Sequence, residues 1–166
     1  MSGIDYAFRK KAGAAIERDD VDALRVLLAG VDREEIDRIA YAASLHGSEE
    51  SLRYMVGHLG VRVIRSLDRS LITSAITAQA PLTLIEFLLE QPRGEYALYI
   101  GLPLVRAAGA GRLDIVELLV EAGADINQGN TGFHNALELA ISKGFEEIAK
   151  YLRDHGARPG VHNYRE

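Results

Sequence analysis

The chain has 166 residues, enough for one compact domain or one short repeat array. Its formal charge of −5, with no compensating basic stripe, argues against a nucleic-acid or anionic-membrane partner, and the absence of cysteine excludes disulfides and thiolate metal sites. Met1 to Tyr6 lacks an apolar signal core and no apolar run approaches membrane-spanning length, so a soluble, cytoplasmic protein is expected.

In chain order, residues 1–12 are expected to add a helical start or cap, with Arg9-Lys10-Lys11 as a solvated helix face. Ala14 to Leu28 then forms a first helix–turn–helix unit. Val21, Leu24 and Leu27 recur at helical spacing, and Asp19 stands at the turn. A second unit runs from about Arg33 to Gly60. Ile36, Ile39, Ala40 and Ala43 line its first helix, His46-Gly47 marks the turn, Ser48 is the expected N-cap, and Leu52, Tyr54, Met55 and Val56 line the second. Val61 to Ile64 alternates like a strand, but its place in the unit favours an extended finger. In the third unit Leu71, Ile72, Ala75 and Ile76 precede a turn at Ala80-Pro81, and Leu82, Leu84, Ile85, Phe87, Leu88 and Leu89 follow it.

The last two units are in step. Gly111 is followed 33 residues later by Gly144, and Leu104, Ala107, Ile115, Leu119 and Gly123 answer to Leu137, Ala140, Ile148, Leu152 and Gly156. One supersecondary unit is therefore stacked on a copy of itself. Pro103 suits a first helical turn, where an amide N–H has no partner. Ala107 and Ala108 allow a neighbouring helix to come close. Gly109 and Gly111 break the helix, Asp114 favours the positive end of the next helix dipole, and Gly123 fits the left-handed residue that ends it. The turn landmarks fall at 19, 47, 80, 111 and 144.

Gly111 to Asn127 resembles the second half of an ankyrin repeat. Leu102-Pro103-Leu104-Val105-Arg106-Ala107-Ala108 is similar to that family's Thr-Pro-Leu-His-x-Ala-Ala opening, with Leu102 and Val105 in place of the threonine and histidine. The resemblance is clear over 102–157 and degenerate over 13–101. It implies an all-α ankyrin-repeat solenoid of about five helix–turn–helix units with short extended fingers. The expected organisation is a single domain over 1–166, with units at about 1–32, 33–65, 66–97, 98–130 and 131–166.

The residues offer no catalytic constellation. His46, His58, His134, His155 and His162 share no metal-ligand spacing. His155 sits at a helix end, where an imidazolium meets the negative end of the dipole. Gly109-Ala110-Gly111 lacks the ending of a phosphate loop. Paired acids at 19–20, 49–50 and 146–147 fall near helix starts, and Glu34-Glu35 is placed in a surface segment. Neither cofactor nor metal is expected.

The resemblance implies a monomeric, non-catalytic module that binds or inhibits another protein through a concave face of first helices and fingers. Its contacts would come from Arg93, Glu95, Tyr96, Tyr99, Arg106, Gln128, Asn130, Phe133, His134, Glu138 and Ser142. Two fingers are candidates: Gln91 to Tyr99 and Gln128 to His134. The alternative is a regulatory subunit, or an enzyme with an unrecognised site in residues 1–100, where His46, His58, Tyr41 and Tyr54 are the available groups. The last unit must also close the array, and Lys143, Glu146, Glu147, Lys150, Arg153 and Asp154 supply the polar side this needs.

Overall fold

A computed structural model describes residues 6–66, 69–91, 101–129 and 135–159, with backbone alone at 64–66, 69 and 101. It divides into two compact units, Met1–Arg93 and Gly94–Glu166.

The first unit is built from three helix pairs. They are α1 (Tyr6–Glu17) with α2 (Val21–Leu27), α3 (Arg33–His46) with α4 (Glu49–Gly57), and α5 (Leu71–Thr77) with α6 (Leu82–Glu90). Short polar side chains start several of these helices. Asp20 Oδ1 accepts Ala23 N–H at 2.9 Å, Asp32 Oδ1 accepts Glu35 N–H at 3.0 Å, and Ser70 Oγ accepts Thr73 N–H at 3.3 Å. The first helices lie side by side, α1 on α3 and α3 on α5, while α2 packs on α4 and α4 on α6. The second unit repeats the plan with α7 (Gly101–Gly109), α8 (Leu113–Glu121), α9 (Ala136–Lys143) and α10 (Glu146–Asp154), and α7 lies on α9.

Each pair turns on one residue with positive φ: Asp19 at 51°, Gly47 at 71°, Gln79 at 58°, Gly111 at 74° and Gly144 at 77°. The third hinge is therefore Gln79, not the expected Ala80, and Ala80 is an added residue before Pro81, the N-cap of α6. A glutamine in this conformation gives no glycine or proline signal, so Pro81 drew the landmark one residue too far. Four residues before every hinge stands an alanine (Ala15, Ala43, Ala75, Ala107 and Ala140), each 0% exposed. A methyl group at this level lets adjacent first helices pack closely. Gly109 extends the same logic: a Cβ there would lie 2.5 Å from Leu139 Cδ2 on α9.

Three local expectations change. The finger after α4 contains paired strands, β1 (Ile64–Ser66) and β2 (Arg69–Ser70), antiparallel with Ile64 opposite Ser70. Val61 to Val63 stays outside the ladder, and Val63 is buried and accepts Leu71 N–H through its carbonyl at 2.9 Å. Glu35 is not on the surface. It is 3% exposed, and Arg9 of α1 and Arg38 of α3 hold its two oxygens at 3.1 and 2.9 Å. Arg9 is thus drawn from the solvated run into a contact between helices. Ser48 occupies the N-cap of α4 without capping it, because its hydroxyl donates to Ile16 O at 2.8 Å.

Candidate functional site

Helix pairs of this kind leave two surfaces, one along the second helices and one along the first helices with their fingers. Along the second helices of the first unit, side chains are engaged with one another. Arg25 lies over the Tyr54 ring at 5.5 Å, and Tyr54 stacks on His58. Arg53 lies over Phe87 at 4.6 Å, pairs with Glu49 at 2.8 Å and donates to Thr83 O at 3.1 Å.

First helices are engaged as well: Arg9, Arg33 and Arg38 of α1 and α3 pair with Glu35, Asp37 and Glu34. Arg106 lies in the last turn of α7, exposed and with no ion pair among the described residues. Ser142 is exposed on α9, where its hydroxyl donates to Leu139 O at 2.9 Å. Glu138 is already committed to structure. Its carboxylate accepts Asn135 N–H at 3.1 Å while Asn135 Oδ1 accepts Glu138 N–H at 3.0 Å, a reciprocal capping box. Gln128 is half-buried, and its Oε1 is shielded with no donor among the described residues. Gly129 and Asn135 bridge at the base of the finger that follows. Arg93, Glu95, Tyr96, Tyr99, Asn130, Phe133 and His134 lie outside the described residues.

Two exposed aliphatic residues on first helices escaped the sequence reading: Leu45 on α3 and Ile141 on α9, each 49% exposed. Leu45 stands two residues before its hinge, as Ser142 does, and Glu17 and Thr77 share that exposed position. Counting back from the turn would have found Leu45.

The electrostatics are local. The Arg112 side chain hydrogen-bonds Asp114, with Nη2–Oδ2 at 2.6 Å, and this holds the Asp114 carboxyl below its usual range. Burial, followed by the charges of Glu117 and Glu121, pushes the Tyr151 phenol up. His155, the C-cap of α10, stacks on Tyr151 at 4.0 Å with Nδ1 2.8 Å from Tyr151 O. Among the described residues no three His, Asp or Glu side chains converge as a metal site, and no helix is long and apolar enough to cross a membrane.

Hinged helix pairs joined by fingers define an all-α repeat protein. The model of ankyrin repeats (3 copies) matches residues 75–163, more than half of the chain, and the chain belongs to the ankyrin-repeat family. Protein phosphatase 1 regulatory subunit 27 of Homo sapiens is 43% identical over 54 residues, which cover 32% of this chain and 35% of that protein. The Mus musculus protein of the same name matches to the same extent. The chain thus aligns with about a third of the length of the curated relatives it matches.

Proposed function

We propose that this chain is a non-catalytic module of the cytoplasm that binds, and by binding inhibits or tethers, one partner protein. Neither nucleic acid nor membrane is a partner in this reading. The contact surface comprises the exposed first-helix positions Arg106 and Ser142, with Gln128 and Glu138 at its edge. The finger residues Arg93, Glu95, Tyr96, Tyr99, Asn130, Phe133 and His134 complete it. The observation that carries the reading is Arg106, exposed on α7 with no ion pair among the described residues. Family membership supports it, and so does a relative whose name makes it a regulatory subunit of a protein phosphatase. That name makes protein phosphatase 1 the first partner to try, and regulation of an enzyme in trans is the second reading it favours.

The test is a binding measurement with purified protein phosphatase 1 and with any protein that co-purifies from the native source. Arg106→Glu, Tyr96→Ala and Phe133→Ala are compared with the parent chain at unchanged far-UV circular dichroism. Each substitution is expected to weaken binding at least about tenfold, a loss of about 1.4 kcal/mol. Full affinity in all three variants overturns the surface assignment. Residues 1–166 acting as one domain is part of the same proposal.

A further inference from the structure

The three helix pairs of the first unit are joined by two kinds of contact. The third pair docks through apolar bulk: Leu71, Ile72 and Ile76 of α5 and Leu84, Ile85 and Leu88 of α6 are each at most 3% exposed. Its polar links to α4 lie at the surface, where Arg53 donates to Thr83 O and Thr83 Oγ1 donates to Glu49, each at 3.1 Å. The first pair brings much less bulk. At the same level of burial its aliphatic side chains larger than alanine are Ile16, Leu24 and Leu28, while Phe8, Val21 and Leu27 are only half-buried.

Polar links beneath the surface take the place of that bulk. Arg9 Nε of α1 donates to Oε1 of the buried Glu35 at 3.1 Å. Asp19 accepts the amides of Glu50 and Ser51, and Ser48 donates to Ile16 O in a buried bond. Water replaces all of these bonds once the pair moves away, so each nets less than a fully buried aliphatic side chain. The two helices are meanwhile tied to each other. Across their hinge Asp19 N–H donates to Ile16 O at 3.0 Å and Asp20 N–H to Ala15 O at 2.9 Å, and α1 packs on α2.

We infer that α1 and α2 open from α3 and α4 as one cooperative piece, a flap latched by Glu35 and Asp19, while the second and third pairs stay folded. One latch carboxylate stands on each side of the joint: Asp19 belongs to the flap and Glu35 to α3. Opening releases both together. It bares the α4 amides of Glu50 and Ser51 and the Glu35 carboxylate, which keeps Arg38 at 2.9 Å. The flap thereby covers or uncovers one side of α3 and α4 without unfolding the rest.

Native-state hydrogen exchange on the full chain, followed amide by amide in urea below the unfolding transition, tests this. Amides of α1 and α2 are expected to share one opening. It should be at least about tenfold more populated than the opening that exposes the most protected amides of α3 to α6, with a shallower urea dependence. Arg9→Gln removes a link from the flap and is expected to lower the protection of α1 and α2 about tenfold. Ile85→Val loosens the third pair, which is intact in the closed and the open form alike. It is expected to lower the protection of α3 to α6 about threefold to tenfold and to leave α1 and α2 unchanged. The parent chain alone decides the first expectation should a variant fail to fold. Exchange of all six helices through one common opening, α1 exchanging apart from α2, full protection of α1 and α2 in Arg9→Gln, or an equal loss in every helix of Ile85→Val overturns the inference.

Discussion

The carboxylate of Asp19 accepts the backbone N–H of Ser51 at 2.8 Å across 32 residues of sequence, and its other oxygen accepts Glu50 N–H at 2.9 Å. The hinge of one pair thus caps the second helix of the next. In return Ser48, at the N-cap of that helix, gives its hydroxyl to Ile16 O. The two bonds cross, and they explain why a hinge without glycine is held at φ 51°. Asp19→Ala should cost about 2 kcal/mol, from two lost caps and an alanine forced left-handed; Asp19→Gly keeps the hinge free and should cost about 1 kcal/mol. Urea midpoints of the parent and the two variants decide this: Asp19→Gly as stable as the parent would show that the caps contribute nothing, and equal midpoints in the two variants that the left-handed alanine costs nothing.

Ser48→Ala removes one of two donors to Ile16 O, which keeps the Asp19 N–H at 3.0 Å. A loss of about 1 kcal/mol, the net worth of one hydrogen bond, is expected in the same urea titration. Adding Asp19→Ala should give a combined loss that departs from the sum, because both bonds span one junction.

Gly109→Ala should change sign with its neighbour. In the parent chain the new methyl meets Leu139 Cδ2 at 2.5 Å and Cγ at 3.1 Å, which should destabilise by about 1 kcal/mol or more. In a Leu139→Ala background the space is open, and the helical gain of alanine over glycine, about 0.5–1 kcal/mol, should dominate. A thermal-melt double-mutant cycle that returns no coupling would refute the close approach.

The Arg112–Asp114 pair predicts a small acid dependence. The folded carboxyl titrates below its unfolded value, so its contribution is present above that value and fades as pH falls through the folded one. Asp114 is largely solvated, and solvent screening limits the effect to a few tenths of a kcal/mol. Carboxyl NMR titration should show Asp114 moving upward in Arg112→Gln. Tyr151 behaves in the opposite sense: its raised phenol makes stability fall as pH climbs through the folded titration. Glu117→Gln with Glu121→Gln should bring it only part of the way back, since burial is the larger cause.

If residues 1–166 act as one domain, calorimetry should give a single endotherm whose calorimetric and van't Hoff enthalpies agree. Two resolved transitions would divide the chain at about residue 93 instead.

The packing pattern was legible because it is local. Ile36, Ile39, Ala40 and Ala43 recur at helical spacing, and the 33-residue step from Gly111 to Gly144 reports stacking directly. Two of the misreadings share one cause, a partner far away in sequence. Nothing beside Glu35 announces Arg9, and nothing beside Ser48 announces Ile16. Gln79 was missed for a different reason, since a left-handed non-glycine residue carries no compositional mark. Of the positions proposed for contact, Arg106 and Ser142 lie exposed. Glu138 is drawn into a cap, and Leu45 needed the hinge positions before its exposure could be counted.

The alanines before the hinges give the rungs within each compact unit the same gauge. Whole rungs can therefore be duplicated or deleted by recombination without recutting their neighbours, while a single valine on any one of them would be felt at that joint. Length in such a protein is cheap to vary, and spacing is not.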